Sequence, residues 1–327
     1  MSRPALSLLP DEPEDDGREP DSLEDEIHQA EAARRELERP LSQYLRWPYA
    51  ALDYVMGQWA PGELAIAAAF SGGGKTLFTT NVEHELLLRG QTVYHIGLET
   101  PPAIVRLHFA CLKLGYYVGD VVSGEAKHRA DWPEMERALR AEINAGFRAD
   151  YPLLVNRDRW LDVPRLRRAL KEAAFYGAKL VVIDHMDHLA TPDHMSLYQA
   201  SVQVTRLLVE MAQELQLRVL ALSQLNNDAV RGDPLQRHYA PRPEQVYMGG
   251  HKRQVATYML GIYRPLKPGL SAETLREVRA GNVEVGTVLH ENIMAVSCMK
   301  HRHYGNREGK TVTLGVVRGR LVDVVQP

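Results

Sequence analysis

Apolar residues in this chain gather into short unbroken runs separated by longer amphipathic stretches. Leu64-Ala65-Ile66-Ala67-Ala68, Thr92–Leu98, Leu153-Leu154-Val155, Lys179–Ile183 and Arg218–Leu222 each read as a strand buried on both faces. Between them, residues 102–116, Met135–Ile143, Val163–Tyr176 and 196–215 carry apolar positions at helical spacing. Val255–Tyr263 and Ile293–Met299 predict further strands, and Thr311–Val317 with Arg320–Val325 predicts a closing hairpin through Arg318-Gly319. Strands alternating with helices predict an α/β fold: a mostly parallel sheet covered by helices on both faces, with a C-terminal β-hairpin. Right-handed crossovers gather the C-terminal ends of parallel strands at one edge, where ligands bind. Glu99, Asp184 and Gln224 all fall at such ends.

The ends of this pattern differ from its middle. Residues 1–20 have low hydrophobicity, high charge and four prolines, which predicts a disordered acidic leader. Residues 21–40 read as one linker helix with a thin stripe of Leu23, Ile27, Ala30, Ala33 and Leu37. Such a stripe does not fold alone, so two readings stay open: a solvated lone helix, or a helix packed on a neighbouring subunit. After Pro40, residues 41–327 hold the main domain, entered through an aromatic lead-in over 41–62. Residues 225–250 are polar and rich in turn formers, predicting a loop or mobile segment.

Composition narrows the setting. The 327 residues are 45% hydrophobic and 25% charged, with no run of 18 apolar residues, so no membrane partner is expected. The proline-rich acidic start argues against a signal peptide. Cys111 and Cys298 fit no metal spacing and read as core thiols in a reducing, cytoplasmic setting. Residues 1–40 carry 13 acidic and 5 basic side chains, so the rest of the chain is net basic although the whole is −3. That distribution permits nucleic-acid binding.

The chemistry centres on Ala69-Phe70-Ser71-Gly72-Gly73-Gly74-Lys75-Thr76, placed between a buried strand and a helix beginning at Leu77. Glycines let consecutive N–H groups point inward as an anion nest, and a helix N-terminus adds its positive dipole end. Ser71 to Leu77 are therefore expected to bind the phosphates of ATP, with Lys75 on the outer phosphates and Thr76 holding Mg²⁺. Ala69 stands where the phosphate-loop pattern has its first glycine. Asp184, after four apolar residues, suits a second Mg²⁺ contact, and Glu99 is the candidate base for the attacking water.

The ordered set Gly74-Lys75-Thr76, Gly97-Leu98-Glu99-Thr100, Val182-Ile183-Asp184-His185 and Ala221-Leu222-Ser223-Gln224-Leu225-Asn226 resembles the RecA-like motor domain of DnaB-family replicative helicases. Pro61-Gly62-Glu63-Leu64, Gly250 with Gln254, Leu260–Arg264 and Lys300-His301-Arg302 extend the resemblance from about residue 45 to the end. The resemblance implies that Glu99 is the catalytic glutamate, Asp184 the Walker B aspartate and Gln224 the group sensing the terminal phosphate. It implies further that Lys300 and Arg302 enter the active site of the next subunit in a homo-oligomeric, hexameric ring. A solvated basic turn is the plainer reading of Lys300–His303. Two positions depart from the family pattern: Arg253 replaces a usual glutamate and Asp187 a usual glutamine.

Single-stranded DNA is the implied partner, through the loops after Asp184 and Gln224. Arg231, Arg237, Arg242, Lys252 and Arg253 are the expected phosphate contacts. Asp184, His185, Asp187, His188 and His194 suggest a metal set by residue type, but the strand already assigns Asp184, and the imidazoles read as surface groups. The resemblance implies an ATP-hydrolysing motor translocating on DNA during replication, shortened at its N-terminus and open to a loader or primase partner. Two readings compete with it: a RecA-like DNA-dependent ATPase without unwinding, acting in replication initiation or recombination, and a nucleotide-gated DNA-binding scaffold.

Overall fold

A computed structural model describes residues 31, 33–34, 37–146, 148–158, 161–189 and 195–324. The acidic leader, residues 21–30, 32, 35 and 36 of the expected linker helix, and His194 lie outside the described residues. Contacts divide the chain into a unit ending at Gln43 and a second from Tyr44 to Pro327. The second unit is built on nine strands: β1 (Leu64–Ala69), β2 (Val93–Gly97), β3 (Leu153–Val155), β4 (Leu180–Asp184), β5 (Val219–Gln224), β6 (Tyr258–Tyr263), β7 (Ile293–His301), β8 (Thr311–Val317) and β9 (Arg320–Asp323). They form one sheet in the order β3-β2-β4-β5-β1-β6-β7-β8-β9. β1 to β6 run parallel, and β7 to β9 turn antiparallel.

The unbroken apolar runs follow from this topology, because every residue of β1, β2 and β4 is buried. Alternate β1 residues feed two cores. Ala65, Ala67 and Ala69 face one, Leu64, Ile66 and Ala68 the other. On the first face pack α1 (Ala50–Met56) and α2 (Lys75–Leu88), through Leu52, Val55, Phe78, Val82 and Leu86. α3 (Pro102–Leu114) adds Val105 and Phe109 on that side, with α4 (Val118–Ser123) and α5 (Trp132–Ala145) beyond it. α6 (Val163–Phe175) and α7 (Leu197–Leu215) cover the second face with Leu166, Leu170, Leu207, Leu208 and Met211. The aromatic lead-in contains α1, which the sequence pattern did not show. Trp47 stacks on Trp59 at 5.0 Å, and Trp59 meets Tyr258 edge-on.

Residues 225–250 differ from the expected loose loop. They hold α8 (Asp228–Gly232), one-turn helices Pro234–His238 and Pro243–Gln245, and lead into α9 (Gly249–Val255). Leu235 and Val246 are buried, and Tyr247 N donates to Gln224 O at 2.8 Å, which fastens the segment to β5. Val255, expected to open a strand, instead ends α9. α10 (Ala272–Arg279) and α11 (Val285–Val288) fill the connection before β7. No helix among the described residues is long and apolar enough to cross a membrane.

Candidate functional site

Four adjacent strands, β2, β4, β5 and β1, end side by side, and each delivers one of the expected polar groups. Register puts Ala69 opposite Gln224 and Gly97 opposite Asp184. The turn after β1 requires its glycines. Gly72 and Gly74 have φ of 74° and 96°, and a Cβ on Gly73 would meet Phe70 O at 2.9 Å. Gly74 caps α2 without a side-chain hydrogen bond, so the first N–H groups of the helix face the turn, as an anion nest needs.

Lys75 is mostly buried, and its Nζ donates to Ala69 O at 3.2 Å across the turn. Burial pulls its pKa below the ordinary lysine value, while the carboxylates of Asp184, Glu99 and Asp187 oppose that shift. Thr76 Oγ1 donates to Asp184 Oδ2 at 3.0 Å. Asp184 is 1% exposed, and its Oδ1 has no hydrogen-bond partner among the described residues. A hydroxyl beside a buried carboxylate with an orphaned oxygen is the all-oxygen donor set that Mg²⁺ takes, so these residues fit that ion.

Glu99 lies at the rim with its side chain 56% exposed, its Oε2 3.5 Å from His185 Nε2. Gln224 Nε2 donates to the same ring nitrogen at 3.2 Å. By sequence His185 reads as a surface imidazole and Asp187 has no assigned role, yet His185 is fully buried and both sit inside the site. His185 is buried, and desolvation together with His188 holds its pKa below the ordinary imidazole value. Asp187 Oδ2 accepts from Ser223 Oγ at 3.0 Å and from Gln224 N at 2.8 Å. Its Oδ1 receives Lys252 Nζ at 2.5 Å.

That last contact corrects an expectation. Lys252 is 0% exposed, and its ammonium also donates to Ser223 Oγ and Tyr247 O, each at 3.0 Å. It is an internal tie and offers no cation to a DNA phosphate. Arg231, Arg237, Arg242 and Arg253 are exposed on the neighbouring surface. Arg231 and Arg253 make solvent-facing pairs with Asp228 at 3.3 Å and Glu244 at 2.8 Å.

Lys300 and Arg302 stand apart from the phosphate turn. Lys300 pairs in register with Met259, and Met259 with Ile66, three residues short of Ala69. Arg302 N bonds Thr257 O, and Thr257 N bonds Leu64 O, at the opposite end of β1. Five residues of strand separate that level from Ala69, roughly 17 Å. Both side chains bind the C-terminal carbonyls of α9. Lys300 Nζ reaches Arg253 O, Gln254 O and Ala256 O, and Arg302 reaches Gln254 O at 3.1 Å and Val255 O at 2.7 Å. Cations at a helix C-terminus satisfy its orphan carbonyls and its dipole.

Comparison with known proteins adds the decisive observation. The model of the DnaB-like helicase C terminal domain matches residues 45–302. The chain belongs to that family. Two curated relatives named replicative DNA helicase DnaB are similar at low identity. The one from Pasteurella multocida is 27% identical over 225 residues, 65% of this chain and 45% of its own length. That from Leifsonia xyli is 25% identical over 254 residues, 75% of this chain and 50% of its own length. This DnaB-like chain thus spans about half the length of the curated relatives it matches. Among solved structures, the ATPase domain of G40P has a TM-score of 0.68 at 20% identity, covering 91% of this chain and 98% of that one. A DnaB-like replicative helicase described with its interactions with primase gives 0.68 at 18%, covering 94% and 68%. These likenesses agree with the RecA-like α/β architecture expected from the sequence.

Proposed function

We propose that this chain is an ATP-hydrolysing motor of a ring-forming DnaB-like helicase that translocates on single-stranded DNA in replication. The observation that carries the reading is the contact of Thr76 Oγ1 with Asp184 Oδ2, flanked by Glu99 and Gln224 on the adjoining strand ends. Ser71, Gly72, Gly73, Gly74, Lys75, Thr76 and Leu77 bind the triphosphate through the turn and the start of α2. Thr76 and Asp184 hold Mg²⁺, which supplies charge neutralisation to the phosphates. Lys75 withdraws from Ala69 O and donates to the outer phosphate oxygens. Glu99, at the open rim, orients and deprotonates the attacking water, since its exposed carboxylate is placed to meet substrate. Gln224 donates its amide to the terminal phosphate and, through its own backbone N–H on Asp187, reports that contact to the segment after β5.

Lys300 and Arg302 sit too far along the sheet to serve the phosphate turn of their own subunit. They complete the site of the next subunit in the ring, where a cation supplied in trans stabilises transition-state charge by about 10³–10⁵ in rate. DNA phosphates take Arg231, Arg237, Arg242 and Arg253. The exposed ion pairs of Arg231 and Arg253 are weak enough, about 1 kcal/mol or less, to exchange for phosphate. A loader or primase is the further partner, and the relative described with primase supports that choice.

Strand displacement on a forked duplex tests the motor: the parent should unwind it and Lys75→Ala should not. Absence of unwinding by a DNA-stimulated ATPase at saturating protein would sink the helicase reading. Mixing Glu99→Gln with Arg302→Ala tests the shared site, because each variant alone is expected to be inactive and the mixture to regain part of the rate. Intact DNA-stimulated hydrolysis by Arg302→Ala alone refutes the trans assignment.

A further inference from the structure

We propose that Glu99, His185 and His188 form a binding site for a borderline divalent cation of the Zn²⁺ and Co²⁺ class, distinct from the Mg²⁺ position at Thr76 and Asp184, and that its occupation arrests hydrolysis. The second half of the proposal rests on the reading of Glu99 as the water-activating base.

The three residues come from two adjacent strand ends. Glu99 follows β2, and His185 and His188 occupy the one-turn helix region directly after β4. One ligand atom from each lies within 4.8 Å of the other two. His185 Nε2 and Glu99 Oε2 are 3.5 Å apart, and the two imidazole rings have centroids 3.9 Å apart at 49°. Donors about 2.1 Å from a common ion stand about 3.0–3.4 Å from one another, so small side-chain rotations close the set. Two imidazoles and one carboxylate with open positions suit a transition-metal dication better than Mg²⁺, which prefers oxygen alone.

A second observation points the same way. His185 is 1% exposed, and its Nδ1 is buried without a hydrogen-bond partner among the described residues. The Gln224 amide donating to Nε2 at 3.2 Å marks that nitrogen as the one with the lone pair. Nδ1 then carries the proton and looks toward Asp187 Oδ2 at 3.8 Å. At that distance the carboxylate does not hydrogen-bond the ring but sets a negative charge behind it. Asp187 is itself fixed by Lys252, Ser223 Oγ and Gln224 N. The Glu99 and Asp187 carboxylates stand 3.5 Å and 3.8 Å from the two ring nitrogens of His185, so a dication enters a negative field.

Occupation has a direct consequence. The ion takes the Glu99 oxygen that would activate water and displaces the Gln224 amide from His185 Nε2. Both groups are removed from the phosphates by one binding event, while the turn at Gly72–Thr76 is left intact. Arrest should therefore lower turnover with nucleotide binding retained.

The test is a Co²⁺ titration of the nucleotide-free protein followed by visible absorption, with Zn²⁺ as competitor. One ion per chain is expected, and His188→Ala and Glu99→Gln should each weaken its affinity about tenfold or more. His188 and Glu99 are exposed, so both variants should keep the parent's unfolding midpoint in the same preparations. Unchanged Co²⁺ affinity in both variants, or no saturable binding by the parent, overturns the proposal whatever the protein does with ATP. For the second half, Zn²⁺ should lower the Mg²⁺-ATP hydrolysis rate of the parent while a fluorescent ATP analogue stays bound. The inhibition midpoint of His188→Ala, measured against its own Zn²⁺-free rate, should rise about tenfold. Equal midpoints refute arrest at this site.

Discussion

Replacing Lys252 by methionine keeps the length of the side chain and removes one charge from the interior. The ammonium is 0% exposed and holds three acceptors: Asp187 Oδ1 at 2.5 Å, Ser223 Oγ at 3.0 Å and Tyr247 O at 3.0 Å. In Lys252→Met the Asp187 carboxylate, 9% exposed, is left without its counter-charge. Breaking a buried ion pair by removing one partner costs about 3–5 kcal/mol. Asp187 keeps two neutral donors, Ser223 Oγ and Gln224 N, which places this case near the lower end, at about 3 kcal/mol. At about 2–4 °C per kcal/mol for a domain of this size, Tm should fall by roughly 6–12 °C. Urea unfolding followed by circular dichroism measures the loss directly. Adding Asp187→Asn should recover most of it, since the orphaned charge is then gone. A loss under about 1 kcal/mol, together with a weaker salt dependence of DNA binding, would show that the ammonium faces solvent and that the buried tie is wrong.

Other substitutions read other parts of the site. Arg237→Ala and Arg242→Ala should each lower the slope of log K against log salt for single-stranded DNA by about 0.7, whereas Lys252→Met leaves it unchanged; filter binding across a salt series decides this. Glu99→Gln should cut kcat for ATP by about 10²–10⁴ with little effect on nucleotide affinity, and a comparable loss of affinity would place Glu99 in binding instead. His84 is buried with Nδ1 on Tyr151 OH at 2.7 Å, and burial, Arg320 and Lys113 push its pKa down to about 4. Because that value lies below the ordinary 6.5, the unfolded chain takes up a proton that the fold refuses. Stability is therefore lost as pH falls below about 6.5, by about 2 kcal/mol at pH 5. Urea midpoints at pH 7.5 and 5 should show this acid loss shrinking in His84→Gln; an unchanged acid loss would remove His84 as its source.

What the sequence made legible was whatever depended on local pattern. A strand buried on both faces must be apolar throughout, so β1, β4 and β5 stood out, and each polar residue ending them was placed at the correct edge. The Gly-Lys-Thr turn carried its own backbone requirement. Asp187 and Lys252 were not legible, because they are 65 residues apart and meet only once β4 and β5 lie side by side. In a polar stretch without periodicity, nothing distinguishes the one lysine turned inward from the arginines around it. α9 was hidden for a related reason: seven residues containing two glycines carry little helical signal, and tertiary bonds at both ends support the helix. Glu99 and His185, 86 positions apart, are brought together in the same way.

These hidden contacts join the two halves of the proposed machine. Gln224 faces the phosphate end of the sheet, and its backbone N–H holds Asp187. Asp187 holds Lys252, which lies on α9, and the last carbonyls of α9 hold Lys300 and Arg302. The path runs from the edge that binds this subunit's nucleotide to the cations assigned to the next subunit's site. Every step is a charge-assisted or backbone hydrogen bond, so none can lengthen without leaving a polar group unsatisfied. To reach a neighbour's phosphates, Lys300 and Arg302 must release the end of α9, and that release loosens the helix on which Lys252 sits. On the proposed trans assignment, a subunit whose cations engage next door has a less constrained Asp187 and a freer Gln224 than one whose cations are at rest. Contiguity alone is not coupling. Coupling would require two states of α9, with the end-of-helix carbonyls held or released, and a phosphate on either side of the subunit to bias the same one.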